Sequence, residues 1–177
     1  MHDLSLYLLE LLENSIRAEA THISVSLFAD HASDRLRLTV EDDGTGLKLD
    51  AEKVLDPFYT TKKDKRTGLG LSLLRAEAEA ADGHLTIGRS PESSGVRVEV
   101  EMVLSHVDRT PVGDIAKTIT LMAVTNPDIT FTVDLTGDEF DPPVIDGGPE
   151  TTRGPLKRAT QHLDQVMVDE PQKENRG

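Results

Sequence analysis

The chain has 177 residues, no cysteine and a formal net charge of −13. That length suits one domain with an appendage, the absent cysteines exclude disulfides, redox thiols and zinc-thiolate sites, and the charge has the wrong sign for a phosphate-backbone binder, so no nucleic-acid partner is expected. No apolar run reaches membrane-spanning length, and the acidic N-terminus enters an amphipathic stretch instead of a signal peptide, so a cytoplasmic setting without a membrane partner is expected.

From Asp3 to Ala18, the residues Leu4, Leu8, Leu11, Leu12 and Ile16 recur with helical spacing and form one apolar stripe. Glu10 and Asn14 are four apart, so they share a face away from that stripe. Glu13 stands four before Arg17 and reads as a helix-surface ion pair. Ile23, Val25 and Leu27 alternate as a half-buried strand. Leu36, Leu38 and Val40 alternate along the next strand, and Asp42 continues the pattern. A carboxylate is thus aimed at the core side where the strand ends, and an unpaired charge there costs several kcal/mol or more. It needs a partner. The exocyclic amine of a bound heterocycle such as adenine would serve, and Gly44 and Gly46 permit close approach of backbone or ligand. The plain alternative is a strand ending in an acidic, Gly-rich turn, and a short motif alone does not decide between them.

Next comes Asp56-Pro57-Phe58-Tyr59-Thr60-Thr61-Lys62. Lys62, Lys63, Lys65 and Arg66 then run into Thr67-Gly68-Leu69-Gly70-Leu71, which opens a second helix to about Ala81, with Gly83 placed to stop it. Leu85 and Ile87 begin a strand, Ser90 to Gly95 reverse it, and Val96, Val98, Val100, Met102 and Leu104 alternate back. Beyond Leu104, Asp114 caps a predicted helix through Thr125 with Ile115, Ile119 and Met122 on one face. Ile129, Phe131, Val133 and Leu135 alternate as a strand. Asp141-Pro142-Pro143 and Gly147-Gly148-Pro149 read as a connector. Leu156, Ala159, Leu163 and Val166 have the spacing of a last helix, before a disordered end from Asp169. The expected organisation is a main domain at 1–104, a small α/β extension at 105–140 and a tail at 141–177. The extension carries no catalytic motif; it either extends the sheet or recognises a partner. The six histidines show no ligand spacing.

Four of these motifs, in this order, resemble the superfamily of ATPases that includes gyrase, the ninety-kilodalton heat-shock chaperone, histidine kinases and MutL. Glu10-Leu11-Leu12-Glu13-Asn14-Ser15 resembles the Asn-containing helix motif, and Asp42-Asp43-Gly44-Thr45-Gly46 the first glycine box. Asp56 to Lys62 resembles the Phe box of the kinases, and Thr67-Gly68-Leu69-Gly70-Leu71-Ser72 the second glycine box. The resemblance spans residues 3–104. It implies a Bergerat-type ATP-binding fold, an α/β two-layer sandwich with a mixed, mostly antiparallel sheet. It also implies ATP and Mg²⁺ as cofactors. Asp42 would accept from the adenine amine, Gly44 and Gly46 would let the base lie on backbone, and Asn14 would ligate Mg²⁺ through its side-chain oxygen.

The stretch holding Thr60, Thr61, Lys62, Arg66, Thr67, Gly68, Leu69, Gly70 and Leu71 would form a mobile lid over the phosphates. The basic run supplies positive charge there, and helix N-termini attract phosphate; Lys63 and Lys65 read equally as solvated loop charges. Glu10 matches the general base of the MutL and gyrase branches, with a surface carboxylate as the alternative reading. In the kinase branch, hydrolysis is not the physiological reaction. Full kinases carry a dimerisation segment with a phosphoacceptor His before the Asn helix, whereas only Met1 to Ser5 precede it here. The expectation is therefore a stand-alone, histidine kinase-like protein that binds Mg-ATP and regulates or phosphorylates a partner protein. A MutL-like ATP hydrolase using Glu10, and a non-catalytic nucleotide-gated binding module, are the alternatives.

Overall fold

Apolar residues at helical spacing fold as α1 (Leu4–Arg17), and its stripe of Leu4, Leu8, Leu11 and Leu12 is buried together with Tyr7. The computed structural model describes residues 3–46 and 70–136. Asp3 caps α1 by accepting from the backbone of Leu6 at 3.0 Å. Two more of the helix's orphan donors are satisfied from far along the chain: Leu4 N–H donates to the Pro111 carbonyl at 2.8 Å and Ser5 N–H to Val112 at 3.1 Å. At the other end Glu19 takes a left-handed conformation (φ 59°), and Ala20 N–H reaches the Ser15 carbonyl at 3.1 Å. That hydrogen-bond pattern closes the helix as a Schellman motif.

The alternating segments form five strands: β1 (His22–Asp30), β2 (Arg35–Asp42), β3 (His84–Arg89), β4 (Val96–Val103) and β5 (Thr130–Thr136). Their order in the sheet is β3-β4-β2-β1-β5. The β1/β2, β2/β4 and β3/β4 pairs are antiparallel, while β5 lies parallel to β1 with Val133 beside Val25. The helices α2 (Gly70–Ala80) and α3 (Ile115–Thr125) complete the described elements. All three helices contribute to one core with the apolar side of the sheet. The result is the expected two-layer α/β sandwich on a mixed, mostly antiparallel sheet. The other face carries ion pairs, across strands between Arg37 and Glu101 (Nη2 to Oε2 2.6 Å) and along β4 between Arg97 and Glu99. A one-sided antiparallel sheet tolerates such a polar face in water.

The stretch after Leu104 enters the same sheet. Asp114 caps α3 through Lys117 N–H at 2.9 Å, and Ile115, Ile119 and Met122 are buried, as the spacing predicts. α3 packs against α1, and β5 then pairs beside β1.

Gly83 differs from expectation. The residue in the left-handed conformation after α2 is Asp82 (φ 52°), and Gly83 N–H donates to Ala78 at 2.8 Å. Gly83 is needed for another reason: a side chain there would overlap the backbone of Glu101 on β4. Among core positions Leu12 is fully buried and Leu6 is 44% exposed. Leu12→Ala is expected to cost about 2–5 kcal/mol in urea unfolding, and Leu6→Ala less than about 0.5 kcal/mol.

Candidate functional site

The site is organised around α1. Ser15 sits on its buried side, one residue beyond Asn14, and its Oγ donates to Asp42 Oδ2 at 2.7 Å. That bond joins the Asn helix to the end of β2. Asp42 is 7% exposed and does not rely on one partner: Gly44 N–H and Val96 N–H donate to its Oδ1 at 3.0 and 3.2 Å. The partners that burial demands are thus supplied by the chain. A carboxylate offers about four lone-pair positions, so Oδ2 can still accept from a further donor.

The first glycine box is pressed against the end of α1. Thr45 N–H donates to the Ala18 carbonyl at 2.9 Å, and a side chain at Gly44 would come within 2.6 Å of that oxygen. Gly46 has φ +75°, a region that favours glycine. Asp43 faces the other way. Its carboxylate accepts from Thr21 Oγ1 at 2.7 Å and from the backbone of Thr21 and His22. The Thr21 hydroxyl, then the His22 amide, hold its pKa below the ordinary carboxylate range.

Asn14 is half-buried, and its Oδ1 accepts from Arg17 Nη1 at 3.1 Å. Arg17 also pairs with Glu13 at 2.6 Å, the predicted surface ion pair. With both side chains about half exposed, that pair contributes little to stability. Glu10 is exposed, and its carboxylate lies against Gly70, the first residue of α2. Tyr7, one turn earlier, is 5% exposed. Burial, then the carboxylates of Glu77 and Glu10, push its hydroxyl above the usual phenol range. Leu71 is half-buried and packs on the core.

The structure therefore brings the described members of three motifs together. Glu10 and Asn14 share α1, Ser15 ties that helix to Asp42, and Glu10 reaches Gly70. Thr60, Thr61, Lys62, Arg66, Thr67, Gly68 and Leu69, with the Phe-box stretch, lie outside the described residues. The sequence reading passed over Ser15, Arg17 and Val96 as site residues. Ser15 follows Asn14 directly and Arg17 lies three beyond it, so helical spacing offered a signal for both. Val96 gave none, because its amide reaches Asp42 only through the return of β4. A cavity of about 450 Å³ lies along the polar face of the sheet, lined by Ser24, Ser26, Thr39 and Glu41 and reaching Asp42 and Asp43 at the end of β2. No group of three His, Cys, Asp or Glu side chains among the described residues could hold a metal.

Comparison with known proteins bears on the same region. The family model described as histidine kinase-, DNA gyrase B-, and HSP90-like ATPase matches residues 2–106. The sensor histidine kinase ZraS of Escherichia coli O157:H7 is 30% identical over 107 residues, covering 60% of this chain and 23% of that protein. The DNA mismatch repair protein MutL of Nitrobacter winogradskyi is 34% identical over 171 residues, covering 75% of this chain and 28% of that protein. The chain spans about a quarter of the length of these curated relatives. Among solved structures, the catalytic domain of the histidine kinase ThkA aligns with TM-score 0.47 at 27% identity, covering 59% of this chain and 68% of that one. The Aquifex aeolicus MutL ATPase domain complexed with ADP aligns with TM-score 0.47 at 17% identity, covering 93% and 70%.

Proposed function

Because this chain belongs to the histidine kinase-, DNA gyrase B- and HSP90-like ATPase family, we propose that it binds Mg-ATP and regulates or phosphorylates a partner protein. The observation that supports the nucleotide site best is the Ser15–Asp42 bond, which joins the Asn helix to the acidic strand end across 27 positions of sequence. Asp42 is the acceptor for the adenine amine, through the capacity left on Oδ2. Asn14 is the protein ligand for Mg²⁺. A single oxygen fits that ion, which keeps waters and phosphate oxygens for most of its shell. The bound ion would shield the phosphate charge. Arg17, now on Asn14 Oδ1 and paired with Glu13, is a cation already next to that position. Thr60, Thr61, Lys62, Arg66, Thr67, Gly68, Leu69, Gly70 and Leu71 belong to the same proposal as the nucleotide-covering stretch. So does a cytoplasmic setting; no helix of the described residues is long and apolar enough to cross a membrane.

A second reading is ATP hydrolysis with Glu10 as general base. It is favoured by the exposed Glu10 carboxylate at the start of α2, the helix that the second glycine box opens. A general base must come within hydrogen-bond reach of its water, and an exposed carboxylate on a fixed helix has that access.

One experiment separates these readings from a gated binding module without turnover. ATP labelled at the γ-phosphate is incubated with the chain and a lysate. Label on a protein band is the result expected for phosphorylation in trans. Free labelled phosphate with no band supports the hydrolase. Neither product, with ATP bound in calorimetry, leaves the module. No ATP binding at millimolar nucleotide and Mg²⁺ overturns the proposal as a whole.

A further inference from the structure

Gly70 is a glycine without a backbone reason for being one. Its φ lies outside the left-handed region, unlike those of Gly46 and Gly113. It is the first residue of α2, where alanine is the better helix former. What excludes a side chain is proximity. A Cβ at position 70 would overlap Glu10 Oε2 and come within 2.8 Å of the Glu10 carboxyl carbon. Those two atoms, with the other carboxyl oxygen at 3.6 Å, are the three nearest that such a Cβ would meet. The empty side-chain position of Gly70 is thus occupied by the end of Glu10.

We infer that Gly70 is a positioning residue: its missing side chain holds open the seat that fixes the Glu10 carboxylate beside α2, and turnover of ATP depends on that seat. The inference rests on the reading of Glu10 as the base. Glu10 is a long side chain on an exposed helix face, with several rotamers open to it. A base must hold its water in one geometry, so some contact has to select the rotamer. Tyr7 precedes Glu10 by one turn on α1. Gly70 closes the seat from α2. The two motifs, sixty residues apart in sequence, then act as one device: the Asn helix carries the carboxylate and the second glycine box receives it.

The test is Gly70→Ala in the full chain, beside Glu10→Gln and the double variant. The added methyl meets the far end of a flexible side chain, so the fold is expected to survive while the carboxylate must move. Gly70→Ala is expected to lower kcat for ATP roughly 10²-fold or more, as loss of a base does, with a much smaller change in KM. The two changes should not multiply, because they remove one function. Glu10→Asp in the Gly70→Ala background is the rescue. The shorter acid leaves room for the methyl, so alanine at position 70 should cost less there than in the parent. Carbon-13 labelling of glutamate carboxyls gives a readout free of nucleotide. The Glu10 resonance, assigned by its loss in Glu10→Gln, should shift in Gly70→Ala. An unchanged Glu10 resonance overturns the seat, whatever the chain does with ATP. Rates that multiply in the double variant overturn its role in turnover. If the parent binds ATP without releasing phosphate, the hydrolase reading fails and the carboxyl resonance alone decides the seat.

Discussion

Glu10→Gln is expected to bind Mg-ATP as the parent does and to lose roughly 10²–10⁴-fold in ATP hydrolysis, the usual share of general-base catalysis. Glutamine keeps the size and hydrogen-bonding capacity of the side chain and removes only its basicity. Glu10 is exposed, so the fold does not depend on its charge. Its contact with Gly70 is with the carboxyl end, which an amide of the same shape can occupy. Asn14→Ala is the contrast. It removes the oxygen proposed for Mg²⁺, so it should weaken Mg²⁺-dependent binding along with any reaction. If the chain phosphorylates a partner instead, transfer should fall less than hydrolysis in Glu10→Gln, because the acceptor supplies the nucleophile. Steady-state phosphate release, partner labelling and calorimetry on both variants provide the check. Hydrolysis by Glu10→Gln at the parent rate would end the hydrolase reading.

The second large effect is at Asp42. Asp42→Asn should weaken ATP binding by about 1.5–3 kcal/mol, the range for a hydrogen bond to a charged group. The structure adds an effect on the fold. Three donors converge on this carboxylate: Ser15 Oγ, Gly44 N–H and Val96 N–H. An asparagine offers one oxygen, and its NH₂ must face at least one of those donors. Each buried donor left without an acceptor costs about 1–3 kcal/mol, so Asp42→Ala should lose about 3 kcal/mol or more of folding stability. Calorimetric affinities therefore have to be taken well below the unfolding midpoint of each variant. Unchanged affinity in folded Asp42→Asn removes the adenine role, and an unchanged urea midpoint in Asp42→Ala removes the structural one.

Periodicity by itself determined most of the fold. The stripe of α1, the faces of β1, β2, β4 and β5, and the capped α3 with Ile115, Ile119 and Met122 inward all depend on local spacing, and spacing is written in the chain. The site motifs were legible for the same reason, since Glu10 with Asn14 and Asp42 with its glycines are neighbours in sequence. Tertiary structure decided what each of them touches. Burial of Asp42 followed from alternation, but its partners Ser15 and Val96 lie 27 and 54 positions away and become neighbours only when α1 and β4 close on β2. Gly83 was read as a helix stop, yet Asp82 adopts the left-handed turn and the glycine is set by the backbone of β4. The stretch after Leu104 left two options open, and packing of α3 on α1 with β5 pairing beside β1 realises the sheet extension. Local spacing fixes which way a side chain points; the sheet order and the helix packing fix what it meets there.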